Sequence, residues 1–427
     1  MSFMPFFGDQ AGLAAHQLKG LQWTVRHAYE GSDFYRQRLH QAGAAPEDIQ
    51  SLKDLQRLPF TTAEDLRVGY PFPLLSVPLT DVVRIHASSG TTGKRKVLAY
   101  TQKDIDDWAH MFARCYQMAG LTRADRVQIA VGYGVWTAGA GFQAGCERFG
   151  ALALPVGPGN LEMQCQFLLD FQTTVICCTS SMALLLAEEL TRRGLLGQVK
   201  LNKVIYGSER TSQAMRQRIA QGLGAELFDI PGLTELYGPG TGLECAAHAG
   251  IHYWADYYIL EVLDPETLQP VEPGQTGEMV VTTLCKEAAP LIRYRTRDLT
   301  RLLPGDCACG NLLPRHDRIL GRSDDMIKFR AVNIYPGQID HVLSAGQGVG
   351  SEYQVILEHG EDGRDYMTVK VERAPEGRAG EDPALAAAIA KRVKDTILVS
   401  AKVEIVDYGS LPRSERKSQR VFDRRFA

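Results

Sequence analysis

The sequence has little net charge, no long apolar run and no cysteine pattern suited to a disulfide framework, and each absence removes a class of function. Its 47 basic and 50 acidic residues leave a formal charge of −3, too small for general attraction to nucleic acid or to an anionic membrane surface. No apolar stretch approaches the roughly 18 residues needed to span a bilayer. Residues 1–7 lack the basic and apolar regions of a secretory leader. A cytoplasmic location with no nucleic-acid or membrane partner is therefore expected. The nine cysteines are odd in number and lie in a long chain, which fits reduced thiols better than paired ones. Cys146, Cys165, Cys177 and Cys178 have apolar neighbours and read as small buried hydrophobes. Internal repeats and low-complexity tracts are absent as well.

What is present is a globular composition, 44% apolar and 23% charged, in a chain of 427 residues, too long for one ordinary core. Near the N-terminus Leu18, Leu21, Val25 and Tyr29 fall on one helical face, and a threonine of the pair Thr61-Thr62 can cap a helix that opens with Glu64 and Asp65. Strand-like runs at 127–131, 151–155, 175–178 and 203–206 alternate with helix-length segments, which predicts an α/β domain with a mainly parallel sheet. Residues 259–263 and 277–283 flank a turn-rich stretch and read as an antiparallel β segment. A further change follows Gly321-Arg322-Ser323-Asp324-Asp325. The expected organisation is a large domain over 1–323 and a small, mobile α+β lid over 324–427, hinged at Asp324.

The densest chemistry lies at Ser88, Ser89, Gly90, Thr91, Thr92, Gly93 and Lys94, directly after a strand-like run. Glycines let successive backbone N–H groups face one concavity, and the hydroxyls and Lys94 add donors and charge. This suits a polyphosphate. The Walker spacing is absent, because only two residues separate Gly90 from Gly93.

Together with Tyr206-Gly207-Ser208-Glu209, Gly232-Leu233-Thr234-Glu235, Tyr294-Arg295-Thr296-Arg297-Asp298, Gly321-Arg322-Ser323-Asp324-Asp325 and Leu411-Pro412-Arg413-Ser414-Glu415, this loop closely resembles the phenylacetate–CoA ligase family of adenylate-forming enzymes. The resemblance runs over nearly the whole chain. It implies that a carboxylate attacks the α-phosphate of ATP to give an acyl-adenylate and pyrophosphate, after which a thiol, usually that of CoA, displaces AMP. A carboxylic acid is already ionised at pH 7, so the first step needs positioning and charge neutralisation rather than a base.

By this resemblance the residues of the 88–94 loop hold the β- and γ-phosphates. Glu235 is the acidic ligand of Mg²⁺, with Thr234 beside the α-phosphate. Asp298 accepts hydrogen bonds from the ribose hydroxyls, unless it is spent on Arg295 or Arg297. Arg322 reaches ribose or phosphate, and Gly207, Ser208, Glu209, Asp229 and Ile230 line the adenine. Lys417 matches the lysine that the small domain brings to adenylation. Tyr133, Trp136, Phe142, Ile230 and Pro239 could wall an aromatic acid such as phenylacetate. A homodimer is the family expectation.

Three departures bear on this. Pro231 stands where the family has an adenine-stacking tyrosine, and Arg416 stands where it has glycine. Ala331 replaces a glycine that lets the pantetheine arm of CoA pass. Transfer to a carrier protein or an amine, or a reaction ending on an adenylated coenzyme, therefore stays open. A non-catalytic nucleotide sensor is disfavoured, since it would not need Lys94, Glu235, Asp298, Arg322 and Lys417 together.

Cys245, Cys307 and Cys309 complete the reading. With His252 they form a Cys3His set suited to structural zinc. His248 competes for the fourth place, although Ala249-Gly250-Ile251-His252 better matches the family's Gly-Leu-His. The role of Lys417 yields a test. Lys417→Ala should depress adenylate formation far more than CoA transfer from pre-formed adenylate, and equal loss in both half-reactions would count against the assignment.

Overall fold

A computed structural model describes residues 2–88, 95–209, 211, 213–325, 327–329, 332–344, 346, 348–360, 362–412 and 420–425. Ser89, Gly90, Thr91, Thr92, Gly93, Lys94, Ala331, Arg416 and Lys417 lie outside the described residues. The chain forms two compact units, the first made of Met1–Cys178, Gln198–Ser208 and Glu226–Ile319, the second of Thr179–Gly197, Glu209–Ala225 and Leu320–Ala427.

In the first unit five parallel strands lie in the order Leu152–Leu154, Arg126–Ile129, Val175–Thr179, Lys203–Gly207 and Glu226–Ile230. They match the expected alternation. The central strands are apolar without interruption because both faces are covered: Val175, Ile176, Cys177, Val204 and Ile205 are all fully buried. The four cysteines read as hydrophobes are buried too. Tyr258–Leu263 pairs antiparallel with Gly277–Thr283, which pairs in turn with Tyr294–Thr300. The expected β segment thus gains a third strand.

Two helices of this unit approach closely because glycine occupies the contact. A Cβ at Gly141 or Gly145 of the helix Thr137–Phe149 would collide with Trp108 or Phe112 on the helix Gln102–Met118. The N-terminal helix Gln10–Gly31 buries Leu21 and Val25, with Leu18 and Tyr29 packed partly against the core. Thr62 caps Ala63–Val68, accepting from the Asp65 N–H.

The second unit carries a sheet in the order Lys402–Val406, Asp365–Arg373, Val349–His359 and Val421–Asp423. Val355, Val369, Val371, Ile389 and Val393 form its core. The helices Ser180–Arg192 and Gln213–Leu223 group with it. Glu188 and Arg218 on those helices both bond the Tyr408 hydroxyl, and the Arg218 guanidinium lies 5.4 Å from the ring centroid. Among the described residues no helix is long and apolar enough to cross a membrane.

The first unit also contains a buried ion pair. Arg114 and Asp256, 4% and 9% exposed, make two parallel hydrogen bonds of 2.8 and 2.7 Å, and Arg114 also donates to the Phe3 carbonyl at 2.9 Å. Removing one member strands a charge in the core. Arg114→Leu should cost about 3–5 kcal/mol in urea unfolding, whereas a loss below about 1 kcal/mol would mean that solvent screens the pair.

Candidate active site

Within the first unit the hairpin Arg84–Ala87/Val97–Tyr100 bounds the glycine-rich loop. Ser88, the described member of that loop, donates its N–H to the Lys96 carbonyl at 2.9 Å and accepts from the Lys96 N–H at 3.3 Å. The loop therefore leaves from a closed ladder. The 133–136 segment is fastened to the same strand: the Val135 carbonyl accepts from the Ala87 N–H at 2.9 Å and faces the His86 Nδ1 at 3.2 Å.

Glu235 sits on a tight turn in which the N–H groups of Leu236 and Tyr237 both reach the Leu233 carbonyl. Its carboxylate, in a residue only 4% exposed, pairs with the Lys96 ammonium and accepts from the Tyr294 hydroxyl at 2.8 Å. Burial pushes the carboxyl up, but the Lys96 charge, its hydrogen bond and that of Tyr294 outweigh it and hold the group below the ordinary range. Glu235 is therefore anionic at neutral pH.

Behind the turn, Lys286 is fully buried. Its ammonium donates to the Glu235 carbonyl at 2.9 Å and lies 4.8 and 5.1 Å from the ring centroids of Tyr100 and Tyr237. Burial pulls its pKa down to about 8 against the charges of Asp104 and Glu235. The Tyr100 hydroxyl contacts the carbonyls of Thr234 and Tyr237 at 3.1 and 3.2 Å. Lys96, Tyr294, Lys286 and Tyr100 carry no role in the sequence reading. Tyr294 lies inside a quoted motif and Lys96 two positions past Lys94, so proximity to motifs was the available signal. Lys286 had none.

Asp298 and Pro231, the residue replacing the stacking tyrosine, line one small cavity with Gly232, Leu233, Met279 and Ile319. Arg295 and Arg297 both reach Glu278, at 2.8 and 3.5 Å. Gly207 and Ile230 are register partners at the ends of their strands. A Cβ on Gly207 would strike the Ile230 carbonyl, and Ser208 turns out of the strand at φ +71°. The Asp229 N–H donates to Glu244 at 3.1 Å, and Arg318 bridges the two carboxylates at 3.7 and 2.6 Å.

In the second unit the Glu209 carboxylate accepts from the Ser181 N–H and from the hydroxyls of Ser180 and Ser181. It thereby caps the helix Ser180–Arg192. Arg322 makes a two-point contact with Asp324, at 2.8 and 3.0 Å. The expected nucleotide contact and the expected hinge thus touch each other.

The expected acid-pocket residues are distributed. Phe142 is 3% exposed and packs on Phe112 at 4.8 Å between centroids, inside the main core, because Gly141 and Gly145 draw its helix inward. Ile230 is buried in the sheet. Pro239 pairs with Gly232, and its carbonyl accepts from the Trp108 indole at 2.8 Å. Trp136 lies under the Arg95 guanidinium, 5.0 Å from its ring centroid. Tyr133 covers Gly139, with its hydroxyl buried and unpartnered among the described residues.

Cys245, His252, Cys307 and Cys309 bring their ligand atoms within 4.8 Å of one another. The Cys245 and Cys307 sulfurs are 3.6 Å apart, near the ~3.8 Å edge that two 2.3 Å Zn–S bonds make in a tetrahedron. The His252 Nδ1 lies 2.8 Å from the Leu313 carbonyl, which assigns it the ring proton and leaves Nε2, 3.3 Å from the Cys309 sulfur, as a ligand atom. His248 faces Glu226 and Glu244 instead, at 3.2 and 3.7 Å. The donor set fits zinc.

Residues 23–285 match the AMP-binding enzyme family and residues 331–425 match the AMP-binding enzyme C-terminal domain. The chain is 43% identical to the phenylacetate-coenzyme A ligase of Escherichia coli (strain K12), over 97% of this chain and 95% of that one. It is 40% identical to that of Thermus thermophilus, over 97% of each. Among solved structures, a 2-hydroxyisobutyryl-CoA ligase in its postadenylation state with 2-HIB-AMP superposes with a TM-score of 0.89 at 29% identity, covering 98% of this chain and 90% of that one.

Proposed function

The chain belongs to the phenylacetate–coenzyme A ligase family of AMP-binding enzymes, acid–thiol ligases that release AMP, and from that membership we propose that it activates an aromatic, phenylacetate-like acid with ATP and passes the acyl group to CoA. The observation carrying this reading is the identity of 40–43% to four phenylacetate-coenzyme A ligases over nearly the whole chain.

In the first step a carboxylate oxygen bonds the α-phosphorus as the bond to the departing pyrophosphate breaks. In the second the CoA sulfur bonds the acyl carbon, and AMP leaves with its oxygen. We assign the β- and γ-phosphates to the 88–94 loop, the ribose to Asp298 and Arg322, and the adenine surroundings to Gly207, Ser208, Asp229 and Ile230. Glu209 contributes there through its backbone, its carboxylate being spent on the helix cap. Lys417 acts in adenylation, Asp324 is the hinge, and Ala331 lies on the path of CoA. Tyr133, Trp136 and Pro239 remain candidates for contact with the acid.

Glu235 suits Mg²⁺, with Thr234 beside it near the α-phosphate. The carboxylate is anionic and in place, and the cation would supply charge neutralisation at the phosphates. Lys96 then has to share or release Glu235. Structural zinc at Cys245, His252, Cys307 and Cys309 would tie the strand Ile251–Tyr253 to the loop before Arg315–His316.

Pyrophosphate exchange with a panel of arylacetic, hydroxybenzoic and heteroaromatic acids, run with and without CoA, tests the activity. An arylacetic acid should support exchange and CoA-dependent AMP release. No exchange with any acid would sink the ligase reading, and exchange without CoA-dependent AMP would point to a carrier protein or an amine as acceptor. For zinc, metal analysis of the purified protein should give close to one equivalent, falling below about a tenth in Cys307→Ser with a lowered Tm. Wild-type protein with no zinc overturns the site.

A further inference from the structure

A buried ammonium is costly unless charge or hydrogen bonds compensate it. Lys286 is fully buried, yet among the described residues its hydrogen bond is to a neutral carbonyl, that of Glu235 at 2.9 Å. The faces of Tyr100 and Tyr237 also lie against it, and they attract a cation through their quadrupoles. Asp104 and Glu235 supply the nearby negative charge. Leucine or methionine would fill the same space without the desolvation cost, so the charge calls for an explanation.

The surroundings supply one. The Asp104 carboxylate, fully buried at the start of the helix Gln102–Met118, accepts from the N–H groups of Glu287 and Ala288 at 2.8 and 3.0 Å. Thr101 bonds the Glu287 carboxylate at 2.8 Å. The segment from which Lys286 projects is thus clamped to a helix end. From that fixed base Lys286 holds the carbonyl of the residue whose carboxylate Lys96 and Tyr294 hold. The Tyr100 hydroxyl, meanwhile, braces the carbonyls of Thr234 and Tyr237.

We propose that Lys286 is a positioning residue for adenylation: by pinning the Glu235 peptide it aims the Glu235 carboxylate, and so sets the affinity of the enzyme–nucleotide complex for its divalent cation. This rests on the reading of Glu235 as the Mg²⁺ ligand. Lys286 touches neither substrate nor cation in this scheme and acts through the turn.

The test is Mn²⁺ binding, followed by electron paramagnetic resonance, to the full chain saturated with α,β-methylene-ATP. AMP affinity without metal and Tm are measured in parallel. Lys286→Met should weaken Mn²⁺ about 10- to 100-fold and leave metal-free AMP affinity within about twofold. Unchanged Mn²⁺ affinity in Lys286→Met beside a loss in Glu235→Gln would overturn the role of Lys286 alone. Unchanged Mn²⁺ affinity in Glu235→Gln would overturn the ligand reading beneath it. A parallel fall in AMP affinity and Tm would mark Lys286 as structural only and overturn the proposal. If Lys286→Met fails to fold, Tyr100→Phe, which drops the two carbonyl contacts and keeps the ring, is judged by the same criteria.

Discussion

A carboxylate that is 4% exposed stays ionised only if its surroundings replace water, and the structure around Glu235 follows from meeting that demand. Lys96 supplies the counter-charge from the loop end of the hairpin, Tyr294 a hydrogen bond from the antiparallel sheet, and Lys286 a hold on the carbonyl from the connection between two strands of that sheet. Two stretches far from the turn in sequence, one at Lys96 and one at 286–294, therefore meet at the turn 233–237. Lys96 is at once the ion-pair partner of Glu235 and the residue whose carbonyl accepts from the Ser88 N–H.

The thiol cluster meets a similar demand by other means. His252 lies on a strand that pairs with Arg315–His316, and Cys307 and Cys309 lie on the loop entering that strand. The turn between the two thiols closes through the Gly310 N–H on the Cys307 carbonyl, with Gly310 at φ +76°, a conformation that glycine adopts without strain. Burial pushes the Cys245 thiol up to about 12. Thiolate at that position at neutral pH thus depends on a cation being close.

Much of the fold was legible because period and composition report local facts. The apolar run at 175–178 reads as a strand from its place in the alternation of strands and helices, and the stretch after Gly277 keeps a strand pattern. The structure draws Cys245, His252, Cys307 and Cys309 together and turns His248 toward Glu226. Contacts made across long sequence distances were not legible. Phe142 reads equally well as pocket wall or core until the glycines beside it are seen to draw its helix onto Phe112. Glu209 ends the motif Tyr206-Gly207-Ser208-Glu209, yet its carboxylate goes to Ser180 and Ser181 at the start of a helix. Lys286 lies in no motif, and its part depends on a turn some fifty positions upstream.

Because the Val135 carbonyl serves both the Ala87 N–H and the imidazole of His86, the segment proposed to meet the acid and the strand leading to the loop proposed to hold phosphate share one anchor. Altering selectivity by rebuilding residues 133–136 would then disturb ATP recognition in the same stroke, so variants chosen for a new acid would carry a nucleotide penalty unless selected at saturating ATP. Under the proposed assignments, acid and nucleotide selectivity would then change together rather than separately.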